Sequence, residues 1–349
     1  MSQPGAPSRI ALALCWLLLG LAMIATAVWL GWTRWPSILS GHPATLVAGI
    51  ACGLLGFVAV AWSIATLAIG ARLDRGGDLD HPARRTPKQL RRRARIRMVL
   101  AIPSLLICAV LVATLVYARP LPASTVATAA LHTQDNIQVI ERLSWYEMTP
   151  TKQDKTGHVV KPTTGLIFAP GARVDPRAYA HLLRPLADAG YLVVVLKEPF
   201  GFALLDPNHP AMVIKLHPEI DHWAVGGHSL GGVSAASFAD AHSEVGGLVL
   251  FGSYPASTLV RSDLKVTSIS ASDDGLATPA DIDANKAKLP PTTTYVVVPG
   301  AVHSWFGDYG DQPGDGVPTG DRVAAQAEIT KATQALLASL QPPPPKKKK

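Results

Sequence analysis

Cysteine and charge are both scarce in this chain. Only three cysteines occur in 349 residues, Cys15, Cys52 and Cys108, and none lies beyond Arg119. The larger C-terminal part therefore has no disulfide framework and no thiol nucleophile. A domain of roughly 200 residues can be held by its core alone. Charged residues make up 16% of the chain against 48% hydrophobic, where a soluble domain carries about 25% charge. That composition is unusual for a soluble protein, and the question becomes where the apolar excess sits.

It sits at the N-terminal end. Residues 10–32, 44–71 and 98–118 contain no charged side chain, and each run is long enough to cross a hydrocarbon layer of about 30 Å. Three transmembrane helices are expected. A cleaved signal peptide is the competing reading of the first run, with Ala25-Thr26-Ala27 as the small-residue site. It continues well past the usual apolar core of about 7–15 residues, so a retained helix is the expectation. Trp29, Trp32 and Trp35 would form an interfacial aromatic belt at its far end.

Residues 72–97 hold ten Lys or Arg against three Asp, whereas the segment between the first two runs carries only Arg34. Short basic loops stay in the cytoplasm, so everything after Arg119 is expected outside the cell membrane. Residues 1–118 carry a net +9 and the remainder −2. The positive balance thus belongs to one loop whose expected partner is anionic lipid. Arg91-Arg92-Arg93 resembles a nucleic-acid patch, but its place between two spans argues against nucleic acid.

Beyond a linker expected over 119–136, apolar strands alternate with helical stretches in a domain expected over 137–341. Strands are predicted at 165–169, 191–196, 222–226, 247–251, 266–270 and 293–298. Between the first two, Asp175 reads as an N-cap, Pro176 as the first helical residue, Tyr179, Leu182, Leu183 and Leu186 as one face, and Gly190 as the stop. This alternation predicts an α/β fold, a mostly parallel sheet covered on both faces. A last helix is expected near 323–340, followed by a Pro/Lys tail over 342–349 that would touch lipid or wall polymers, or do nothing.

Gly227-His228-Ser229-Leu230-Gly231 fits G-x-S-x-G at a strand-to-helix turn, the corner that lifts a serine hydroxyl above a sheet edge. Glycines without Cβ allow strand and helix to approach there. Taken alone, the motif reads equally well as a glycine-rich turn. Two further residues follow later strands: Asp274 in Asp273-Asp274-Gly275, and His303 after the last strand. Active sites of such sheets lie at the carboxyl ends of strands, and the chain order Ser, Asp, His suits one triad. Singly, Asp274 is also a turn carboxylate and His303 a loop histidine. His228 adjoins the serine but is expected to point into the packing of the turn.

The stretches GLIFAPGARVDPRAYAHLLRPLADAGYLVVV, WAVGGHSLGG, SASDDGLATP and PGAVHSWFGDYGDQPGDG, over roughly 160–320, resemble the α/β-hydrolase superfamily. More narrowly they are similar to small bacterial hydrolases related to dienelactone hydrolase. The resemblance implies Ser229 as nucleophile, Asp274 as acid and His303 as base, with Asp274 rather than Asp273 immediately before the glycine. It implies an oxyanion hole from the backbone N–H groups of Leu230 and Ala172. Dienelactone hydrolase uses a cysteine nucleophile, so its substrate does not carry over, and the N-terminal runs lie outside the resemblance.

With about a dozen residues between the strands at 247–251 and 266–270, no cap domain is expected. Phe200, Phe202, Trp305 and Phe306 would line an apolar acyl pocket, or be ordinary core. Asp308, Asp311 and Asp315 invite a calcium reading, but their spacing does not fit an EF-hand loop, and no metal or cofactor is expected. The resulting expectation is a membrane-anchored serine hydrolase acting on an acyl ester, which could be a lipid or cell-envelope component. An acyltransferase with the same triad and a non-catalytic binding module are the alternatives. A transporter is disfavoured because the runs contain no internal charge.

Overall fold

The computed structural model describes residues 6–75, 87–133, 136–153 and 155–341. The centre of the basic loop and the Pro/Lys tail lie outside the described residues. The chain divides into two compact units, 1–35 with 44–119, and 36–43 with 120–349.

The first unit contains three long helices, α1 (Ala6–Ser40), α2 (Pro43–Arg75) and α3 (Pro87–Tyr117). Within them Arg9–Ser40, Pro43–Ile69 and Met98–Tyr117 are long and apolar enough to cross a membrane. α1 kinks at Arg34 (φ −138°, ψ 16°), two residues before Pro36, whose ring cannot sit against a continuous helical turn. α1 and α2 meet at Gly20 and Gly56, where a Cβ on either would come within 2.8 Å of the other's carbonyl oxygen. Small residues at such a crossing let helix backbones approach where hydrophobic burial between helices gives no drive. Most large apolar side chains of the three helices remain exposed, as Phe57, Ile107 and Leu18 do.

The second unit is built on one eight-stranded sheet. Its strands are β1 (Ile137–Glu141), β2 (Trp145–Pro150), β3 (Thr164–Ala169), β4 (Leu192–Leu196), β5 (His222–His228), β6 (Val245–Phe251), β7 (Lys265–Ala271) and β8 (Thr294–Val298), in the order β1-β2-β4-β3-β5-β6-β7-β8. Only β2 runs against its neighbours, and every pair from β4 to β8 is parallel. The near-continuous apolar runs of β3 and β4 follow from burial on both faces. Successive side chains point to opposite sides of the sheet, so Leu166, Phe168, Val193 and Val195 join one core layer. Ile167, Ala169, Leu192, Val194 and Leu196 join the other.

Helices α5 (Ala180–Asp188) and α9 (Arg322–Leu340) cover the first layer through Leu182, Leu183, Leu186, Ile329, Leu336 and Leu337. Helices α6 (His209–Leu216) and α7 (Leu230–Ala241) cover the second through Val213, Ala235 and Phe238. Complete burial of each such aliphatic or aromatic side chain stabilises the fold by about 1.5–3 kcal/mol. Segment 252–264, between β6 and β7, contains neither helix nor strand.

Three sequence expectations need revision. β1 and β2 were absent from the predicted strands because Glu147 interrupts the apolar pattern of β2. That carboxylate is buried, and it accepts hydrogen bonds from Trp145 Nε1 at 3.1 Å and Arg142 Nη2 at 3.2 Å, with His217 Nε2 at 3.1 Å. The helix expected from Pro176 is a 3-10 turn, Pro176–Tyr179, leading into α5, with Asp175 accepting from Arg177 N. The 119–136 stretch is more than a linker. Leu121 pairs with Val174, and α4 (Thr125–Ala129), capped by Ser124, packs on α5 with Ala127 fully buried. Proline and small residues gave no helical pattern there; the cap and the docking surface supply the order.

Candidate active site

Among the described residues, three other than glycine have positive φ: Arg173 (63°), Phe200 (53°) and Ser229 (52°). They follow β3, β4 and β5, three adjacent strands, each just past its carboxyl end. Such conformations cost about 1–3 kcal/mol each and collect at functional sites. Two of the three loops are joined directly, by Arg173 N donating to Gly201 O at 2.8 Å.

Ser229 is the hinge between β5 and α7, with φ 52° and ψ −124°. Its N–H donates to Phe251 O at 3.0 Å, and Ser253 Oγ donates to its carbonyl at 2.7 Å. The main chain is therefore pinned on both sides. Its hydroxyl makes no helix-capping bond. Close packing explains the flanking glycines: a Cβ on Gly227 would lie 2.4 Å from Gly231 C, and one on Gly231 would lie 2.2 Å from Ala169 O. The turn can exist only without those side chains.

Asp274 and His303 are brought together by the loops after β7 and β8. His303 Nδ1 and Asp274 Oδ2 are 2.8 Å apart, and both side chains are buried. Asp274 Oδ1 accepts from Leu276 N at 2.8 Å and Ala277 N at 2.7 Å. The carboxylate is thereby oriented with one oxygen on the chain and the other on the imidazole. His303 Nε2 is buried and has no hydrogen-bond partner among the described residues.

Asp273 faces elsewhere, accepting from Thr319 N and Oγ1 and from Ser272 Oγ. These bonds hold its carboxyl below the usual carboxylate range, the Thr319 hydroxyl contributing most.

The N–H groups of Ala172 and Leu230 donate to no acceptor among the described residues. Leu230 N opens α7, whose aligned peptide dipoles favour negative charge at that end. Behind this region Tyr179 OH accepts from Gly171 N at 2.8 Å and lies 2.9 Å from His228 Nδ1. With its lone pair engaged by Gly171, the phenol donates to His228. Burial pushes the His228 imidazole well below its ordinary pKa, and the neighbouring His303, with ring centroids 4.4 Å apart, pushes the same way. His228 is a neutral packing group between the Gly171 loop and His303. Neither Tyr179 nor His228 advertises this link in sequence; it is a pairing across 49 residues.

Of the four aromatics assigned to a pocket, Phe306 is corrected. It is fully buried against Phe251 and His228, so it belongs to the core and offers no surface to a ligand. Trp305 is half-buried and packs on the same core. Phe200 and Phe202 are half-buried on the loop after β4.

Two of the three acidic residues weighed for calcium have other partners. Asp308 accepts from Arg322 Nη2 and Gln326 Nε2 and pairs with His181 Nδ1. Asp315 receives main-chain N–H groups. Among the described residues, no group of three His, Cys, Asp or Glu is arranged to hold a metal ion.

The mixed sheet with its single reversed strand, its two helical layers and its strained serine at the β5–α7 corner define an α/β-hydrolase fold. Residues 165–327 match the family described as "Alpha/beta hydrolase family".

Among solved structures, the chain is similar to a putative dienelactone hydrolase from Klebsiella pneumoniae subsp. pneumoniae, at 17% identity and TM-score 0.41, over 56% of this chain and 92% of that one. It is also similar to a thermophilic esterase from the Planctomycetes species Thermogutta terrifontis, at 13% identity and TM-score 0.41, over 61% and 96% of the respective chains. A cold-adapted esterase from an Arctic intertidal metagenomic library matches at 12% identity and TM-score 0.40, over 59% and 96%. At these identities the likeness says nothing of substrate. No curated protein matches the chain.

Proposed function

We propose that this protein is a membrane-anchored serine hydrolase that cleaves a carboxylic ester through Ser229, His303 and Asp274, with its active site outside the cytoplasmic membrane. The observation that carries the reading is the conjunction of a strained, main-chain-pinned Ser229 with a buried Asp274–His303 pair whose Nε2 has no partner among the described residues.

In the proposed reaction Ser229 Oγ attacks the acyl carbon while His303 Nε2 takes its proton. Asp274 holds the imidazole tautomer and stabilises the cation that forms. The carbonyl oxygen becomes an oxyanion held by the N–H groups of Leu230 and Ala172, each worth about 3–4 kcal/mol in the transition state. His303 returns the proton to the departing alcohol, leaving an acyl-serine. Water then attacks, His303 accepts its proton, and the acid leaves as Ser229 regains its hydrogen. Phe200, Phe202 and Trp305, on loops beyond the strand ends, are half-buried and retain surface for an apolar acyl chain.

Orientation rests on the basic loop, and the three apolar helices act as the anchor, with anionic lipid as partner of the loop. A membrane-impermeant fluorophosphonate probe, applied to intact cells and to purified protein, tests both halves. Wild-type protein is expected to label in both settings and Ser229→Ala in neither. Labelling of the purified protein but not of cells would overturn the orientation. Failure of the folded, purified protein to label would overturn the enzyme reading in favour of a binding module.

A further inference from the structure

Asp315 makes no contact with the atoms assigned to the reaction, yet its carboxylate joins the loops that carry two of them. Oδ1 accepts from Gly275 N at 3.3 Å, His303 N at 3.0 Å and Gly316 N at 2.8 Å. Oδ2 accepts from Ser304 N at 2.8 Å. Gly275 directly follows Asp274, so one side chain bonds the main chain on both sides of the Asp274–His303 pair. These four bonds outweigh the opposing effect of burial and hold the carboxyl below its usual range.

The segment bearing Asp315 is itself locked down. Thr319 N and Oγ1 donate to Asp273 Oδ2, at 3.1 and 2.6 Å. Gly320 N donates to Gly300 O at 2.9 Å. A Cβ on Gly316 would lie 1.7 Å from Asp273 O, so that approach admits nothing larger than glycine. Residues 312–320 thus form a strap across the ends of β7 and β8, with Asp315 as its contact to the His303 backbone.

We propose that Asp315 is a positioning residue, an anionic clamp that fixes the main chain of His303 against that of Gly275 and so sets the imidazole at its distance and angle to Asp274. The inference rests on the serine-hydrolase reading for its kinetic consequence, but its geometric content stands apart from it. A carboxylate accepts all four N–H groups, whereas an amide in its place presents its own NH2 to at least one of them. Asp315→Asn therefore loosens the clamp without removing the side chain, and Asp315→Ala removes it.

The test uses the full-length protein in detergent micelles. Turnover of a soluble p-nitrophenyl ester is divided by the number of sites that a fluorophosphonate labels to completion, which removes any misfolded fraction. Turnover per labelled site should fall about 10- to 100-fold in Asp315→Asn and further in Asp315→Ala, the scale expected when a reacting group is misplaced by up to an ångström. KM should stay within about twofold, because substrate binding does not use the clamp. Unchanged turnover per labelled site in both variants would overturn the proposal and leave Asp315 a stabilising residue only. The downfield proton resonance of His303 Nδ1–H provides the readout that is independent of activity. It should shift or broaden in Asp315→Asn relative to wild type. If the wild type neither labels nor turns over, the hydrolase reading fails, and an unaltered resonance in the variant would then overturn the clamp as well. A changed resonance would support it.

Discussion

The helical unit and the sheet domain both depend on close backbone approach, but for different ends. At Gly20 and Gly56 the missing side chains allow two helices to pack, and nothing about either backbone is unusual. At Gly227 and Gly231 they allow a strand and a helix to meet around Ser229, which is held at φ 52°. The first contact serves association alone. The second stores local strain that the surrounding domain has to offset, and it exposes a hydroxyl. Glycine density by itself distinguishes neither; what differs is whether the residue between the glycines is forced off its preferred backbone conformation.

The sharpest way to probe this contrast lies within the domain, at two adjacent aspartates. Asp274→Asn should reduce kcat by roughly 10⁴-fold, because an amide opposite His303 Nδ1 favours the wrong imidazole tautomer. Asp273→Asn should leave kcat within a few-fold and lower stability modestly, since it loses part of a surface-side bond set with Thr319 and Ser272. Steady-state kinetics and thermal melting of the two variants separate these outcomes; equal kinetic losses would contradict the division of labour.

Next in size is the comparison of glycines. Gly231→Ala places a methyl 2.2 Å from Ala169 O, a backbone overlap of the overpacking kind that costs about 1–3 kcal/mol or more. It should lower the melting temperature of the domain and abolish most labelling of Ser229. Gly20→Leu in the helical pair should disturb α1–α2 packing, read as altered cross-linking between cysteines introduced on α1 and α2, while kcat on a soluble ester stays unchanged. A large loss of kcat there would show that the helices do more than anchor.

The smallest effect is a pH dependence. His228 is held below its ordinary pKa by burial and by His303, so the unfolded chain takes up its proton first as pH falls. The stability it contributes is complete above the unfolded value of about 6.5 and is lost on acidification through and below that point. Asp315, also lowered, adds a similar loss below its unfolded value of about 4. His217 acts in the opposite sense: its bond to Glu147 raises it, so its contribution is present below about 6.5 and drains away as pH rises through its folded value. Melting temperatures between pH 8 and pH 5 should therefore fall less steeply for His228→Asn than for wild type. Parallel curves would refute the assignment to His228.

Particular residues show what could be read without coordinates. Ser229, Asp274 and His303 stood out as candidates because each follows an apolar run and two sit among glycines, signals that are local. The strands β3, β4 and β6 announced themselves through burial on both faces, which makes their sequences nearly all apolar. β2 did not, because the cost of burying Glu147 is offset by His217, Arg142 and Trp145, and no local pattern records a partner 70 residues away. Phe306 could be read as pocket lining or as core and is core, because aromatic identity does not tell which way a loop turns. The tyrosine that supports the Gly171 loop, and the aspartate that spans two others, were visible only as a helix-face residue and a turn acid.

Sequence by itself determined the apolar helices, the parallel α/β arrangement and the residue types at the turn, because length, hydrophobic period and glycine placement act over a few residues. Tertiary structure alone decided what the neighbouring Asp273 bonds instead, which aromatics keep a surface, and where the strap bearing Asp315 lies. Those outcomes depend on hydrogen bonds and contacts between segments far apart in the chain, whose energies exist only once the sheet has brought the loops together.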